Sequence, residues 1–97
     1  MDSIDHFAIN VKDIKASVSW YTTSFSCAVL YQDNTFALLE FSNIKLALIL
    51  PSQQPSHVAF KRKDAHTLGE LRKQKDGSKS TFIADPTGNM IEIMSKE

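Results

Sequence analysis

The sequence predicts an α+β fold of two tandem βαβββ modules, the second shortened, forming a curved, partly open mixed sheet with helices outside. Three observations carry this prediction. The phrase "DHFAINVKD", starting at Asp5, is echoed by "SHVAFKRKD", starting at Ser56. His6, Ala8, Lys12 and Asp13 thus recur as His57, Ala59, Lys63 and Asp64, each 51 positions on. Each phrase is followed by a helical pattern and then by short β-rich runs. Between the copies lies "PSQQPS", polar, with two prolines, and the one linker-like stretch in the sequence. Tandem copies of one supersecondary unit are expected where a single unit cannot bury its own sheet face.

The elements follow in order. From Ile4 to Val11 apolar and polar positions alternate, with Phe7, Ile9 and Val11 on one face and His6, Ala8 and Asn10 on the other. Period two means a strand. Asp13 is a natural N-cap, and Ile14, Val18, Tyr21 and Phe25 follow at helical spacing. A helix is therefore predicted over about residues 14–25, with Ser17, Ser19, Thr22 and Thr23 facing outward. Three strands come next, "CAVLYQ", "TFALLEF" and "IKLALIL", broken by turn signals at Asp33-Asn34 and Ser42-Asn43. The first module, about residues 4–50, reads βαβββ.

After the linker at 51–56 the pattern restarts in a second module, about residues 57–95. It reads as strand "HVAFKR", cap Asp64, a helix from about Ala65 to Lys75, then strands "STFIA" and "MIEIM" around the turn "DPTGN". Aligning the closing strands sets Ala47 opposite Glu92, 41 positions after His6 and 35 after His57 respectively. The second copy has therefore lost six residues, between Leu71 and Ser80. That is enough to delete the short strand after the helix or reduce it to Asp76–Ser78. The 97 residues make one domain with one modest core.

Composition narrows the function. At 42% apolar and 23% charged residues, an ordinary globular protein is expected. Basic and acidic side chains balance at 11 each, so no global field draws nucleic acid or an anionic membrane. Residues 57–79 carry a local excess of four positive charges, but no aromatic residues interleave with them, so a solvated face is expected. Cys27 is the one cysteine, which excludes an internal disulfide and a thiolate metal cluster; its expected role is a small buried hydrophobe. The opening "MDSIDHFAIN" has neither a basic segment nor an apolar one, and no run approaches membrane-spanning length. A cytoplasmic location follows as the expectation.

Three residues could carry chemistry. His6 and His57 hold equivalent places on the opening strand of each module, and Glu92 lies on the last strand of the second. Each alternates with large apolar neighbours: Phe7, Val58, and Ile91 with Ile93. If those pack under the helices, His6, His57 and Glu92 all point to the opposite, concave face. Two imidazoles and a carboxylate there suit Zn²⁺, Fe²⁺, Mn²⁺ or Ni²⁺. A buried carboxylate in any case needs a cation or hydrogen-bond donors. Strand histidines are also common as half-buried, hydrogen-bonded residues, and the residues alone leave both readings open. His66, early in the second predicted helix beside Asp64 and Thr67, reads as surface.

The stretches "HFAINVKDIKASVSWYTTSF", "ALLEFSNIKLALILP" and "FIADPTGNMIEIM" resemble the opening strand and helix, the third and fourth strands, and the closing DP-x-GN signature of one family. This is the vicinal oxygen chelate superfamily of glyoxalase I, bleomycin-resistance proteins and extradiol dioxygenases. The resemblance runs from about Ile4 to Met94. It implies metal ligands at the first-strand histidine of each module and at the last-strand glutamate, which are His6, His57 and Glu92. Two departures stand out. Ser26 fills a place where the family often ends its first helix with glycine, which makes a left-handed turn less comfortable. Ala47 fills the place of glyoxalase I's fourth protein ligand. The remaining two histidines and one carboxylate look like the facial triad of the dioxygenase branch. Ring-cleaving members are far longer, however, and no other histidine stands ready as acid or base. The bleomycin-resistance branch binds its ligand without needing metal, usually in a groove shared by two subunits.

The resemblance therefore implies a metal-dependent enzyme, a lyase, isomerase or dioxygenase, acting on a small oxygen-rich molecule. The alternative is a non-catalytic module that binds or sequesters a small molecule in the same concavity. Ala8, Ala47 and Ala59 would leave that concavity roomy for either. A homodimer is expected, because the short second sheet leaves an edge that invites pairing.

Overall fold

The computed structural model describes residues 1–96, which divide into two compact units: His6–Ser56, and Met1–Asp5 together with the chain from His57 onward. Along the chain run β1 (Ser3–Asn10), α1 (Ile14–Ser24), β2 (Ala28–Gln32), β3 (Phe36–Glu40) and β4 (Lys45–Ile49). They are followed by β5 (His57–Arg62), a 3-10 turn (Ala65–Thr67), β6 (Arg72–Lys73), β7 (Lys79–Ala84) and β8 (Met90–Ser95). The class is α+β, as the sequence predicts, and strand pairing is mixed in each unit.

In the first unit the strands lie in the order β2-β3-β4-β1. β1 runs parallel to β4, from His6 opposite Lys45 to Asn10 opposite Ile49, while β3 is antiparallel to both β2 and β4. The helix begins where the sequence says it should. Asp13 is extended (φ −143°, ψ 111°), and its Oδ1 accepts a 2.9 Å hydrogen bond from the Ala16 amide. That bond satisfies one of the amides that a helix start leaves without partners. Ile14 and Val18 then pack on Ala37, Leu39 and Leu48. Burying each such aliphatic side chain contributes roughly 1.5–3 kcal/mol.

The helix ends at Phe25, which is also extended (φ −134°, ψ 155°) and bonds its amide to the Tyr21 carbonyl at 2.9 Å. No left-handed residue is needed there, so Ser26 carries no strain where a glycine is usual. Cys27 is half-buried against the cluster beneath α1, close to its expected role. Phe7 departs from expectation. The cluster under α1 takes in Ile9 from β1 and Val11 just past its end, while Phe7 stays 41% exposed. The opposite face of these strands is buried as well, by Ala8, Leu38, Ala47 and Ile49 with Tyr31 and Phe36 alongside.

In the second unit the order is β5-β8-β7-β6, with β5 parallel to β8 and the other pairs antiparallel. The helix predicted over Ala65–Lys75 does not form. Only the 3-10 turn remains there, and the short strand expected to be either deleted or reduced to Asp76–Ser78 is present as β6, at Arg72–Lys73. Three local causes are visible. Asp64 makes no side-chain cap; instead Arg62 donates Nε and Nη2 hydrogen bonds to its carboxylate at 2.8 and 3.0 Å. Those bonds hold the Asp64 carboxyl below the usual carboxylate range. Gly69 lies so close to Thr81 Oγ1 that a Cβ there would collide with it, so this segment is pressed against β7 instead of coiling away. A glycine in a helix also costs about 1 kcal/mol against alanine. Asp76–Ser78 is not a remnant strand but the turn into β7, with Gly77 at φ +89°. Among the described residues, no helix is long and apolar enough to cross a membrane.

Candidate metal centre

The second unit places two of the three candidate ligands side by side. β5 and β8 are in parallel register, with His57 opposite Met90 and Ala59 opposite Glu92. His57 Nε2 lies 3.1 Å from Glu92 Oε1, and both residues are buried, at 6% and 4% exposure. The His57 and Phe82 rings meet in a T-shaped contact at a centroid separation of 5.0 Å and an interplanar angle of 86°. Phe82 stands directly opposite Glu92 in the β7–β8 pair. An aromatic contact on one side and a carboxylate on the other thus fix the imidazole.

The carboxylate is gripped at its second oxygen too. Ser80 Oγ donates a 2.7 Å hydrogen bond to Glu92 Oε2, and Gln74 Nε2 donates to Ser80 Oγ at 3.0 Å. This meets the need of a buried carboxylate for donors. Sequence reasoning singled out neither residue. Ser80 left a faint signal, a small polar residue sharing strand parity with Phe82 beside the strand that bears Glu92. Gln74 left none, because it fell inside the stretch predicted as helix.

His6 belongs to the first unit. It is buried at 6% exposure on β1, on the face that also carries Ala8. Ala8 pairs with Ala47, and Ala47 with Leu38, so the place equivalent to Glu92 sits among apolar side chains. His66 is exposed on the 3-10 turn, as expected of a surface residue.

The donor set fits a divalent cation. Imidazole nitrogen and carboxylate oxygen are common ligands at about 2.0–2.2 Å. Two neighbouring ligands at right angles about one cation are then separated by about 3 Å. The His57–Glu92 separation of 3.1 Å suits that arrangement as well as it suits a direct hydrogen bond.

The family model for the Glyoxalase/Bleomycin resistance protein/Dioxygenase superfamily matches residues 3–69. The chain belongs to this superfamily. The match spans all of the first unit, β5 and the 3-10 turn; Glu92 lies beyond it and stands on the closing signature and on its own surroundings. No curated protein matches the sequence. Solved structures do match. A superfamily member from Vibrio splendidus superposes with a TM-score of 0.72 at 14% identity, covering 99% of this chain and 100% of that one. A hypothetical protein from Bacillus halodurans gives 0.75 at 18% identity, covering 99% and 95%. A variant of methylmalonyl-CoA epimerase from Streptomyces coelicolor, in complex with 2-nitronate-propionyl-CoA, gives 0.73 at 22% identity, covering 97% of each chain. At these identities the likeness is one of fold.

Proposed function

We propose that the chain, acting as one glyoxalase-like domain over residues 1–97, is a metal-dependent enzyme of small oxygen-rich molecules. His6, His57 and Glu92 would hold a divalent cation, Zn, Ni, Fe or Mn. The observation that carries the reading is the buried pair His57–Glu92 with its ligating atoms 3.1 Å apart. The repeat supports adding His6, which fills on β1 the place that His57 fills on β5 and is equally buried. A bound cation would act as a Lewis acid, stabilising an oxyanion such as an enolate on a substrate that offers two neighbouring oxygens. The protein's own part is to hold the carboxylate and imidazole in a dry setting where charge interactions are strong.

The test is metal content after purification without a chelating tag, followed by thermal melts with and without Zn²⁺, Ni²⁺, Mn²⁺ or Fe²⁺. Wild type should gain stability on adding metal. His6→Ala and His57→Ala should each abolish that gain while leaving the apo fold largely intact. An equal gain in wild type and both variants would retire the site.

A second reading has its own observation. Ala47 is 1% exposed and packed among Ala8, Leu38 and Ile49, an apolar setting that suits a binding or sequestering module of the bleomycin-resistance type. Little bound metal and no stabilisation by added metal would favour it. Under either reading the chain would act in the cytoplasm as a homodimer. Trp20, Phe25, Val29 and Leu30 in the first unit are exposed apolar side chains, and Val29 and Leu30 lie on β2, which ends its strand order. Light scattering should give twice the 10.9 kDa of one chain, and the single-chain mass would count against a dimer.

A further inference from the structure

Glu92 is held from both ends of its carboxylate. Oε1 faces His57 Nε2 at 3.1 Å, and Oε2 accepts from Ser80 Oγ at 2.7 Å. A hydroxyl has one proton, and Ser80 spends it on Glu92. Gln74 therefore meets the same oxygen as a donor, through Nε2 at 3.0 Å, and turns the hydroxyl toward the carboxylate. Ser80 is 1% exposed, so protein groups and not bulk water set its orientation.

The first unit shows that a serine is not something this strand position requires. Leu38 opposite Ala47 corresponds to Phe82 opposite Glu92. Two residues earlier on each strand stand Phe36 and Ser80. Phe36 packs on the Tyr31 ring at 5.6 Å, whereas Ser80 is tied to an amide. Where the last strand carries alanine, the neighbour is apolar; where it carries glutamate, the neighbour is a hydroxyl. The hydroxyl accompanies the carboxylate, not the fold.

We propose that Ser80, oriented by Gln74, is a positioning residue that locks the Glu92 carboxylate so that Oε1 is presented to His57 and serves as the ligand atom. The ligand role rests on the metal reading above; the positioning role does not. Short hydrogen bonds to an ionised oxygen are strong enough to fix a carboxylate torsion. Outer partners of this kind typically raise metal affinity by about 10–100-fold.

The experiment uses full-length Ser80→Ala, Ser80→Thr and Gln74→Leu with two readouts. In metal-free protein carrying ¹⁵N-labelled histidine, Ser80→Ala should shift the His57 Nε2 resonance, and Ser80→Thr should restore it. In a Co²⁺ titration followed by visible absorption, Ser80→Ala should weaken binding by about 10–100-fold, and Ser80→Thr by less than about threefold. Gln74→Leu should move both readouts in the same direction by less. A folded Ser80→Ala protein with unchanged His57 nitrogen shifts would overturn the positioning role. Shifted nitrogens with unchanged cobalt affinity would overturn the link to the ligand atom. If wild type takes up no Co²⁺, the metal reading fails alone, and the nitrogen shifts still decide the role of Ser80. Should Ser80→Ala fail to fold, Gln74→Leu decides by the same readouts, and unchanged shifts there overturn the proposal.

Discussion

The two units begin from the same phrase and end with opposite interiors. In the first, the strand face that carries Ala8 is apolar apart from His6, built from Leu38, Ala47 and Ile49 with Tyr31 and Phe36. In the second, the equivalent positions hold Ala59, Glu92, Phe82 and Ser80, and a hydrogen-bonded chain runs from Gln74 to His57. Strand pairing is preserved; the chemistry is not. One copy surrounds its single buried histidine with packing and the other sets a carboxylate beside its histidine, so a repeated unit can differ in chemistry without changing its ladder.

The largest effect should come from erasing that difference. Ala47→Glu places a carboxylate where the first unit has apolar neighbours and Phe36 in place of a serine donor. An ionised group buried without partners costs several kcal/mol. The variant should therefore be destabilised by more than about 3 kcal/mol in EDTA, or fail to fold there. If the proposed cation is bound nearby, Ni²⁺ or Zn²⁺ should stabilise the variant more than wild type, because binding free energy adds to folding. Paired thermal melts with and without metal check both halves. Equal melting of variant and wild type in EDTA would mean that Ala47 is not in the apolar setting described.

Much of this was legible in the sequence, and the parts that were not have physical reasons. The seven longer strands follow from alternation and turn residues, and α1 from Asp13 and the spacing of Ile14 and Val18. The two histidines and Glu92 stood out because they break an apolar pattern at repeat-equivalent or strand-closing positions. What misled was the second copy of Lys-Asp. Asp64 looks like Asp13, but whether an aspartate caps a helix depends on whether its carboxylate is available, and Arg62 occupies it. The Gly69–Thr81 approach and the Gln74–Ser80–Glu92 chain are tertiary contacts between segments that no local pattern connects. Periodicity reports which face a residue takes, not which partner it meets there.

The smallest effect, and the one that sharpens the comparison most cheaply, sets Asp13 against Asp64. Asp13 caps α1 through the Ala16 amide, so Asp13→Ala should cost about 1 kcal/mol. Asp64→Ala should lower the melting temperature by less, since Asp64 makes no side-chain cap and its partner is a partly exposed arginine. Their dependence on conditions should differ as well. The Asp64 carboxyl is held below its usual range, chiefly by the Arg62 hydrogen bonds, so the folded state takes up its proton at lower pH than the unfolded chain does. Its contribution is therefore complete above the ordinary aspartate value, near pH 4, and is lost as pH falls through the lower folded value. Melts of wild type and Asp64→Ala should differ at pH 7, converge as pH falls below the lowered folded value, and converge also at high salt, which screens surface pairs. The Asp13→Ala deficit should survive the salt, because it reflects a lost hydrogen bond to a backbone amide more than a charge interaction. If both deficits vanish together in salt, Asp13 acts on the helix through its charge alone, and the two aspartates are more alike than their geometry indicates.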